Sequence, residues 1–135
     1  MNNYTLMLRE HNLKATPQRL EIANALDCNG HMTIEKLYEV MLQKFNSISL
    51  ATIYKNINIM IENAFIQEVK IPNEKSVYEL SKESHSHVVC TKCNAIKDIM
   101  LDLSQTTQLA SQVSHFKIDK ADLVLSGLCQ KCQQL

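Results

Sequence analysis

The chain has 135 residues, enough for one ordinary hydrophobic core or for two small modules of which one depends on a metal ion or on dimerisation. Its 14 Lys and Arg residues balance its 14 Asp and Glu residues, which argues against a general polyanion binder but leaves open a local basic patch. No apolar run reaches membrane-spanning length and Met1 to Arg9 does not resemble a signal peptide, so we expect a compact cytoplasmic protein.

The first half of the chain carries four helical signals. A short segment from Tyr4 to His11 comes first, and Thr16, Thr33 and Ser49 then stand in N-cap positions before three further segments. Pro17 follows Thr16 at the first helical position. The apolar residues that recur at helical spacing and predict a buried face are Leu20, Ala23, Leu26, Ile34, Leu37, Met41, Phe45, Leu50, Ile53, Ile57 and Ile61.

The pattern changes to strands after Asn63. Residues 65–71 and 77–80 are rich in Val, Ile, Phe and Tyr, and residues 72–75 between them predict a turn. Several short helices followed by a hairpin is the order of elements in a winged helix-turn-helix. We therefore predict such a domain over residues 1–81.

Residues 82–135 predict a second, smaller α/β module. Strands are expected at 85–90, at 95–103 and around 123–125, with a helix over 104–114. The whole chain is thus expected to be α+β. A module of this size is too small to be stable on its own core, so we expect a metal ion and sheet pairing across a dimer to contribute.

Two CxxC pairs hold four of the five cysteines, namely Cys90, Cys93, Cys129 and Cys132. Four thiolates in two such pairs can surround one zinc ion tetrahedrally, and they leave no open position for catalysis. Redox and disulfide roles are the alternatives; a redox CxxC normally occurs once, and disulfides need an oxidising compartment. Cys28 lies outside both pairs and is expected to be a small buried hydrophobe.

A second group of potential metal ligands lacks thiolates. His85 and His87 are two residues apart on a predicted strand and point to the same face, as two ligands of one metal must. Glu79 lies upstream, Asp98 follows the first cysteine pair, and His31 precedes the third helix. Each residue alone is more often a surface side chain, but imidazoles and carboxylates together suit ferrous iron or manganese as well as zinc.

The polar face of the fourth helix is a candidate for reading DNA. It presents small residues near its start and then Tyr54 and Lys55, while Lys14 and Arg19 are placed to clamp the phosphate backbone. The residues of this face are Ala51, Thr52, Tyr54, Lys55 and Asn58. A solvated polar surface is the ordinary alternative, and periodicity alone does not separate the two.

Four segments, taken in this order, resemble the ferric uptake regulator (Fur) family over essentially the whole chain. They are Lys14-Ala15-Thr16-Pro17-Gln18-Arg19, residues 49–55 (SLATIYK), residues 76–80 (SVYEL) and residues 85–93 (HSHVVCTKC). The resemblance implies a homodimeric, metal-dependent repressor that binds a palindromic double-stranded DNA operator. It implies neither an enzyme nor a small-molecule substrate.

The resemblance also implies roles for the candidate residues. The four paired cysteines match the family's structural zinc site, and the first domain is its DNA-binding domain while the second is its dimerisation domain. Tyr54 and its neighbours fall on the recognition helix, and Ser49, Ala51, Thr52 and Lys55 are included among the expected DNA contacts. The residues that match the regulatory iron or manganese site between the domains are His31, Glu79, His85, His87 and Asp98.

Within the family the choice lies between a peroxide sensor and an iron sensor. Asp98 stands where peroxide-sensing members usually have Asp and iron-sensing members Glu, and this favours oxidation of a ligand imidazole, His31 or His85, as the signal. Glu79 favours the alternative, an iron-sensing repressor of iron-uptake genes. Outside the family, a zinc-dependent hydrolase and a zinc-ribbon interaction module remain as alternatives, although the chain has no HExxH motif.

Overall fold

The computed structural model describes residues 3–82 and 85–134 and divides the chain into two compact units, Met1–Ser81 and Lys82–Leu135. Each unit is considered by itself. Within the described ranges, no helix is both long enough and apolar enough to cross a membrane.

The first unit contains the four predicted helices: α1 Tyr4–Glu10, α2 Pro17–Asn29, α3 Ile34–Lys44 and α4 Leu50–Glu62. All three predicted N-caps are confirmed, because each hydroxyl accepts a hydrogen bond from the backbone N–H three residues on. The distances are 3.3 Å for Thr16, 3.2 Å for Thr33 and 3.1 Å for Ser49. These bonds satisfy N–H groups that have no partner inside the helix, and so they determine where each helix begins.

The core of the first unit is formed by the inner faces of these helices. Ile53 and Ile57 of α4 are fully buried, as predicted. Leu50 was expected beside them but is 40% exposed, and Ile61 is only half-buried. Asn56 and Met60 occupy the buried face in their place. The face is rotated because the i, i+3, i+4, i+7 spacing runs through Ile53, Asn56, Ile57 and Met60.

A short antiparallel hairpin completes the first unit. Strand β1 (Ile66–Val69) pairs with β2 (Val77–Leu80), with Gln67 opposite Glu79. The first strand is shorter than predicted because the turn begins at Ile71, whose carbonyl accepts from the Glu74 N–H at 3.1 Å. Met32, between α2 and α3, adds an isolated bridge to Tyr78 of β2.

The second unit is built on a three-stranded sheet in the order β4-β3-β5. The central strand β3 (Ser86–Cys90) is antiparallel to β4 (Ile96–Ile99) and parallel to β5 (Val124–Gly127). Helix α5 (Ser104–Ser114) has its predicted bounds, and the short α6 (Gln130–Gln133) was not predicted. The prediction that β4 extends to residue 103 was wrong; Asp102 instead accepts the Ser104 N–H at 2.9 Å in the turn before α5.

Candidate metal centres and nucleic-acid interface

The second unit brings the four paired cysteines together. Cys90 and Cys93 flank the turn after β3, and Cys129 and Cys132 lie at α6 beyond the end of β5. Their four sulfur atoms all lie within 4.8 Å of one another, and the Cys93 and Cys129 sulfurs are 3.8 Å apart. Tetrahedral zinc with Zn–S bonds of about 2.3 Å separates its sulfur ligands by about 3.8 Å. The donor set and its spacing therefore fit zinc.

Backbone N–H groups prepare this cluster for a cation. The N–H groups of Cys129 and Cys93 donate to the Cys90 sulfur at 3.4 Å and 3.5 Å, and they lower the pKa of the Cys90 thiol to about 6. A hydrogen bond from the Cys132 N–H lowers the pKa of Cys129 in the same way. Hydrogen bonds with Cys129 and Cys90 raise the pKa of the Cys132 thiol to about 12, so this thiol keeps its proton at neutral pH.

The first unit holds one imidazole–carboxylate pair. Backbone hydrogen bonds of 2.7 Å and 3.0 Å between Met32 and Tyr78 bring the neighbouring residues His31 and Glu79 side by side. The His31 Nε2 is 2.8 Å from the Glu79 Oε2, and the Gln67 side chain donates to the other Glu79 oxygen. The Glu79 side chain is 1% exposed, and a buried carboxylate is costly unless it is paired or binds a cation.

The second unit holds a cluster of two imidazoles and a carboxylate. His87 lies opposite Asp98 in the β3–β4 ladder, and the rings of His85 and His87 have centroids 4.5 Å apart. The Asp98 Oδ1 is 3.5 Å from the His87 Nε2 and 3.8 Å from the His85 Nε2. The Lys82 ammonium lies 2.6 Å from the other Asp98 oxygen, so a cation already balances part of this negative charge. Each of the two ligand sets, one in each unit, offers only nitrogen and oxygen donors.

The polar face of α4 is exposed at most of the predicted positions. Ala51, Tyr54, Lys55 and Asn58 are exposed and Thr52 is half-buried. The Ser49 hydroxyl is engaged as the N-cap and contacts the Thr52 hydroxyl at 2.9 Å. Lys14 is exposed and Arg19 is half-buried, and both lie at the segment where α2 begins.

Sequence reasoning missed two features of these regions. Asn56 is a buried polar residue on the core face of α4, and its position in an apolar stripe is the signal that could have revealed it. The prediction that Cys28 is a buried hydrophobe was wrong: it is exposed, and its thiol contacts the Asn24 side chain at 3.6 Å. It lies near the end of α2, on the side away from the fully buried Ile22 and Leu26.

The chain is similar over most of its length to proteins of one known family. The model of the Ferric uptake regulator family matches residues 10–126. The peroxide-responsive repressor PerR of Staphylococcus epidermidis is 30% identical over 129 residues, which cover 94% of this chain and 86% of that protein. The peroxide operon regulator of Bacillus subtilis is also 30% identical, with coverages of 94% and 89%.

Solved structures of similar proteins share this fold. The peroxide stress regulator of Campylobacter jejuni is 34% identical, with a TM-score of 0.74 and coverages of 97% of this chain and 100% of that one. The ferric uptake regulator of Vibrio cholerae is 27% identical, with a TM-score of 0.74 and coverages of 94% and 100%. A zinc uptake regulator complexed with zinc and DNA has a TM-score of 0.78 at 19% identity, with coverages of 97% and 91%, and shares the fold.

Proposed function

The chain belongs to the Ferric uptake regulator family, and from this premise we propose that it is a metal-dependent, peroxide-sensing transcriptional repressor. The observation that carries the proposal is the presence of two chemically different ligand sets. Four clustered thiols suit zinc, while imidazoles and carboxylates suit ferrous iron or manganese. The proposed place of action is the cytoplasm, with DNA rather than a small-molecule substrate as the partner.

The four-cysteine cluster is proposed to hold a structural zinc ion. It lies where β3, β5 and α6 meet, in a unit whose helices α5 and α6 have no buried residues. With four thiolates as ligands, zinc has no open position, so its contribution is to folding. The zinc ion would therefore have a structural role, unlike the regulatory ion.

The regulatory ion is proposed to take His31 and Glu79 from the first unit and His85, His87 and Asp98 from the second. Neither set alone supplies the five or six nitrogen and oxygen ligands that octahedral sites use. Ferrous iron held by these residues would activate hydrogen peroxide, and the net change would be transfer of one oxygen atom from peroxide to a ligand imidazole, with the other leaving as water. The buried Glu79 holds His31 in place, and an oxidised His31 or His85 would be a poorer ligand, so the protein would lose its regulatory metal and with it the metal-bound state that binds DNA.

Peroxide is favoured over iron as the signal by Asp98 and by the two relatives at 30% identity, which are both named for peroxide. The Campylobacter jejuni peroxide stress regulator, at 34% identity, gives the same support. Glu79 favours the second candidate function, an iron-sensing repressor of iron-uptake genes. The two candidates differ in what ferrous protein does on exposure to peroxide.

The DNA-binding surface is proposed to be α4 together with the segment before α2. Tyr54 and Lys55 are exposed on α4 and would enter the major groove, with Ser49, Ala51 and Thr52 near the base edges. Lys14 and Arg19 would contact phosphates. Two copies of this surface in a homodimer would match a palindromic operator.

The experiment that tests the proposal compares ferrous and manganous protein. An operator is first selected from random duplexes with the anaerobic manganese-loaded protein. Binding to it is then measured for both metal forms, before and after one equivalent of peroxide, with intact-mass analysis and peptide mapping. We expect loss of binding only in the ferrous form, with one added oxygen on His31 or His85.

The chain supplies internal controls for this experiment. His11 bonds to the Met7 carbonyl within the first unit, and His115 is exposed at the end of α5. Neither histidine is among the proposed metal ligands, so both should stay unmodified. Retained binding with unmodified histidines would favour the iron sensor. Oxidation of all five histidines alike would point to non-specific damage and would count against a sensing role for the ligand set.

A further inference from the structure

Asn56 interrupts the buried face of the proposed recognition helix. It is 8% exposed and lies between the fully buried residues Ile53, Ile57 and Met60. Burial of a polar amide costs free energy unless hydrogen bonds replace those to water. An apolar residue at this position would avoid that cost. The hydrogen-bond partners of the amide therefore indicate what role Asn56 has.

Both ends of the Asn56 amide bond to other groups, and two of its three bonds cross to α2. The oxygen accepts from the Arg19 Nε at 3.1 Å, and the nitrogen donates to the Gln18 side-chain oxygen at 3.4 Å. The third bond goes to the Thr52 carbonyl at 3.1 Å within α4. Since an arginine Nε can only donate, the amide oxygen must face Arg19, and this determines the orientation of the side chain.

Arg19 extends the connection to the segment before α2. Its Nη1 donates to the Lys14 carbonyl at 3.2 Å, so one guanidinium contacts both the recognition helix and the backbone of Lys14. Two of the five guanidinium N–H groups make these bonds. Because the guanidinium is planar and rigid, the two bonds also fix the directions of the other three N–H groups. Lys14 and Arg19 are the residues proposed to hold phosphates.

We propose that Asn56 is a positioning residue for operator recognition, acting through Arg19. It sets the rotation of α4 relative to α2 and holds the Arg19 guanidinium. The face of α4 that reads bases and the groups that bind phosphates are then correctly oriented for the same stretch of DNA. The proposed contribution of this buried polar residue is to specificity rather than to stability. The inference rests on the proposed DNA-binding function and adds a residue that does not itself touch DNA.

The test uses Asn56→Leu in the full-length, metal-loaded protein, because leucine has a similar size and suits the apolar neighbours. We expect an unfolding free energy close to that of the wild type, measured by denaturant titration, since the half-buried Arg19 and Gln18 can turn to water. Operator affinity should fall about 10-fold, and the ratio of operator to random-duplex affinity should fall with it. The dependence of operator affinity on salt concentration should weaken by the equivalent of about two phosphate contacts per dimer, one for each Arg19.

Two further variants show whether Asn56 acts through Arg19. Arg19→Lys keeps the charge but loses the fork that bonds Asn56 and Lys14 together, and it should reproduce the loss of specificity. In an Arg19→Ala background, Asn56→Leu should have no further effect on the salt dependence. Additive effects of the two substitutions would overturn the proposed coupling.

Asn63→Leu, at the C-cap of α4, is the matched control. The Asn63 side-chain amide donates to the Ile59 carbonyl of α4 at 2.9 Å, and this variant should keep the wild-type affinity and specificity. A folded Asn56→Leu protein with wild-type specificity would overturn this inference and leave the proposed function intact. Wild-type protein that selects no duplex with manganese or ferrous iron would overturn both.

Discussion

Cys90 should enter the zinc site already deprotonated at neutral pH. Two backbone N–H groups lower its pKa to about 6, whereas the pKa of Cys132 is raised to about 12. Zinc needs four thiolates, so binding at about pH 7.5 should release fewer than four protons per ion. Near pH 5.5, Cys90 is protonated before zinc binds, and the number released should rise towards four.

The proton count is measured by titrating zinc into reduced, metal-free protein by calorimetry in buffers of different protonation enthalpy. Cys28→Ser removes the fifth thiol and should leave the count unchanged, because Cys28 is not in the cluster. The same pKa shift predicts that the stability contributed by the Cys90 thiolate in metal-free protein is complete above the unfolded pKa of about 8.5. That contribution is lost as the pH falls through about 6. Release of four protons at both pH values would contradict this account.

At the residue scale, chemistry that depends on spacing could be predicted and chemistry that depends on packing could not. The two CxxC pairs could be read as a four-thiol cluster because the spacing within each pair is itself the signal of a metal site. The contact between Lys82 and Asp98 joins residues that are far apart in the sequence, so no short-range pattern could predict it. Asn56 depends on the exact rotation of α4, which the apolar repeat determined only to within about one residue.

The N-cap of α4 should serve both stability and DNA binding, whereas that of α3 should serve stability alone. Ser49 and Thr33 make equivalent cap bonds of 3.1 Å and 3.2 Å. Ser49→Ala and Thr33→Ala should each lower the unfolding free energy by about 1 kcal/mol. Only Ser49→Ala should also weaken operator binding, by about 3- to 10-fold, because it loosens the turn that carries Ala51 and Thr52.

Denaturant unfolding and fluorescence anisotropy with the selected operator check this prediction, and Thr33→Ala is the control for a general loss of stability. Equal weakening of operator binding by both substitutions would show that stability, rather than the order of the first turn of α4, limits binding. Unchanged binding by Ser49→Ala would remove Ser49 from the DNA-binding residues.

At the element scale, helices could be predicted better than strands because their signals are local. Thr16, Thr33 and Ser49 mark helix starts within one turn, and the predicted starts of α2, α3 and α4 were confirmed. The ends of β1 and β4 depend on turns at Ile71 and Asp102, whose hydrogen bonds are not evident from β-propensity. Helix α6 has four residues, too few for an apolar repeat.

At the scale of the whole molecule, the second unit leaves apolar surface that a partner could cover. Helix α5 has no buried residue in the single chain, and Leu109 and Val113 stand one turn apart on it, 61% and 76% exposed. Phe116, two residues beyond the end of α5, is 70% exposed. Strand β5 is an edge strand within the described sheet, so its outer backbone groups can pair with another strand. These features support the proposed homodimer, which no composition or periodicity argument could locate on the chain.

The Leu109→Glu, Val113→Glu double variant should therefore be monomeric in sedimentation equilibrium at concentrations where the wild type is dimeric. Both side chains are exposed, so each protomer should remain folded and keep its zinc. Operator affinity should fall about 100-fold or more, because a monomer engages one half-site and loses the advantage of two linked contacts. Gln108→Glu is the control, since this exposed residue lies about 120° round the helix from the apolar pair. A double variant that stays dimeric would exclude α5 from the interface.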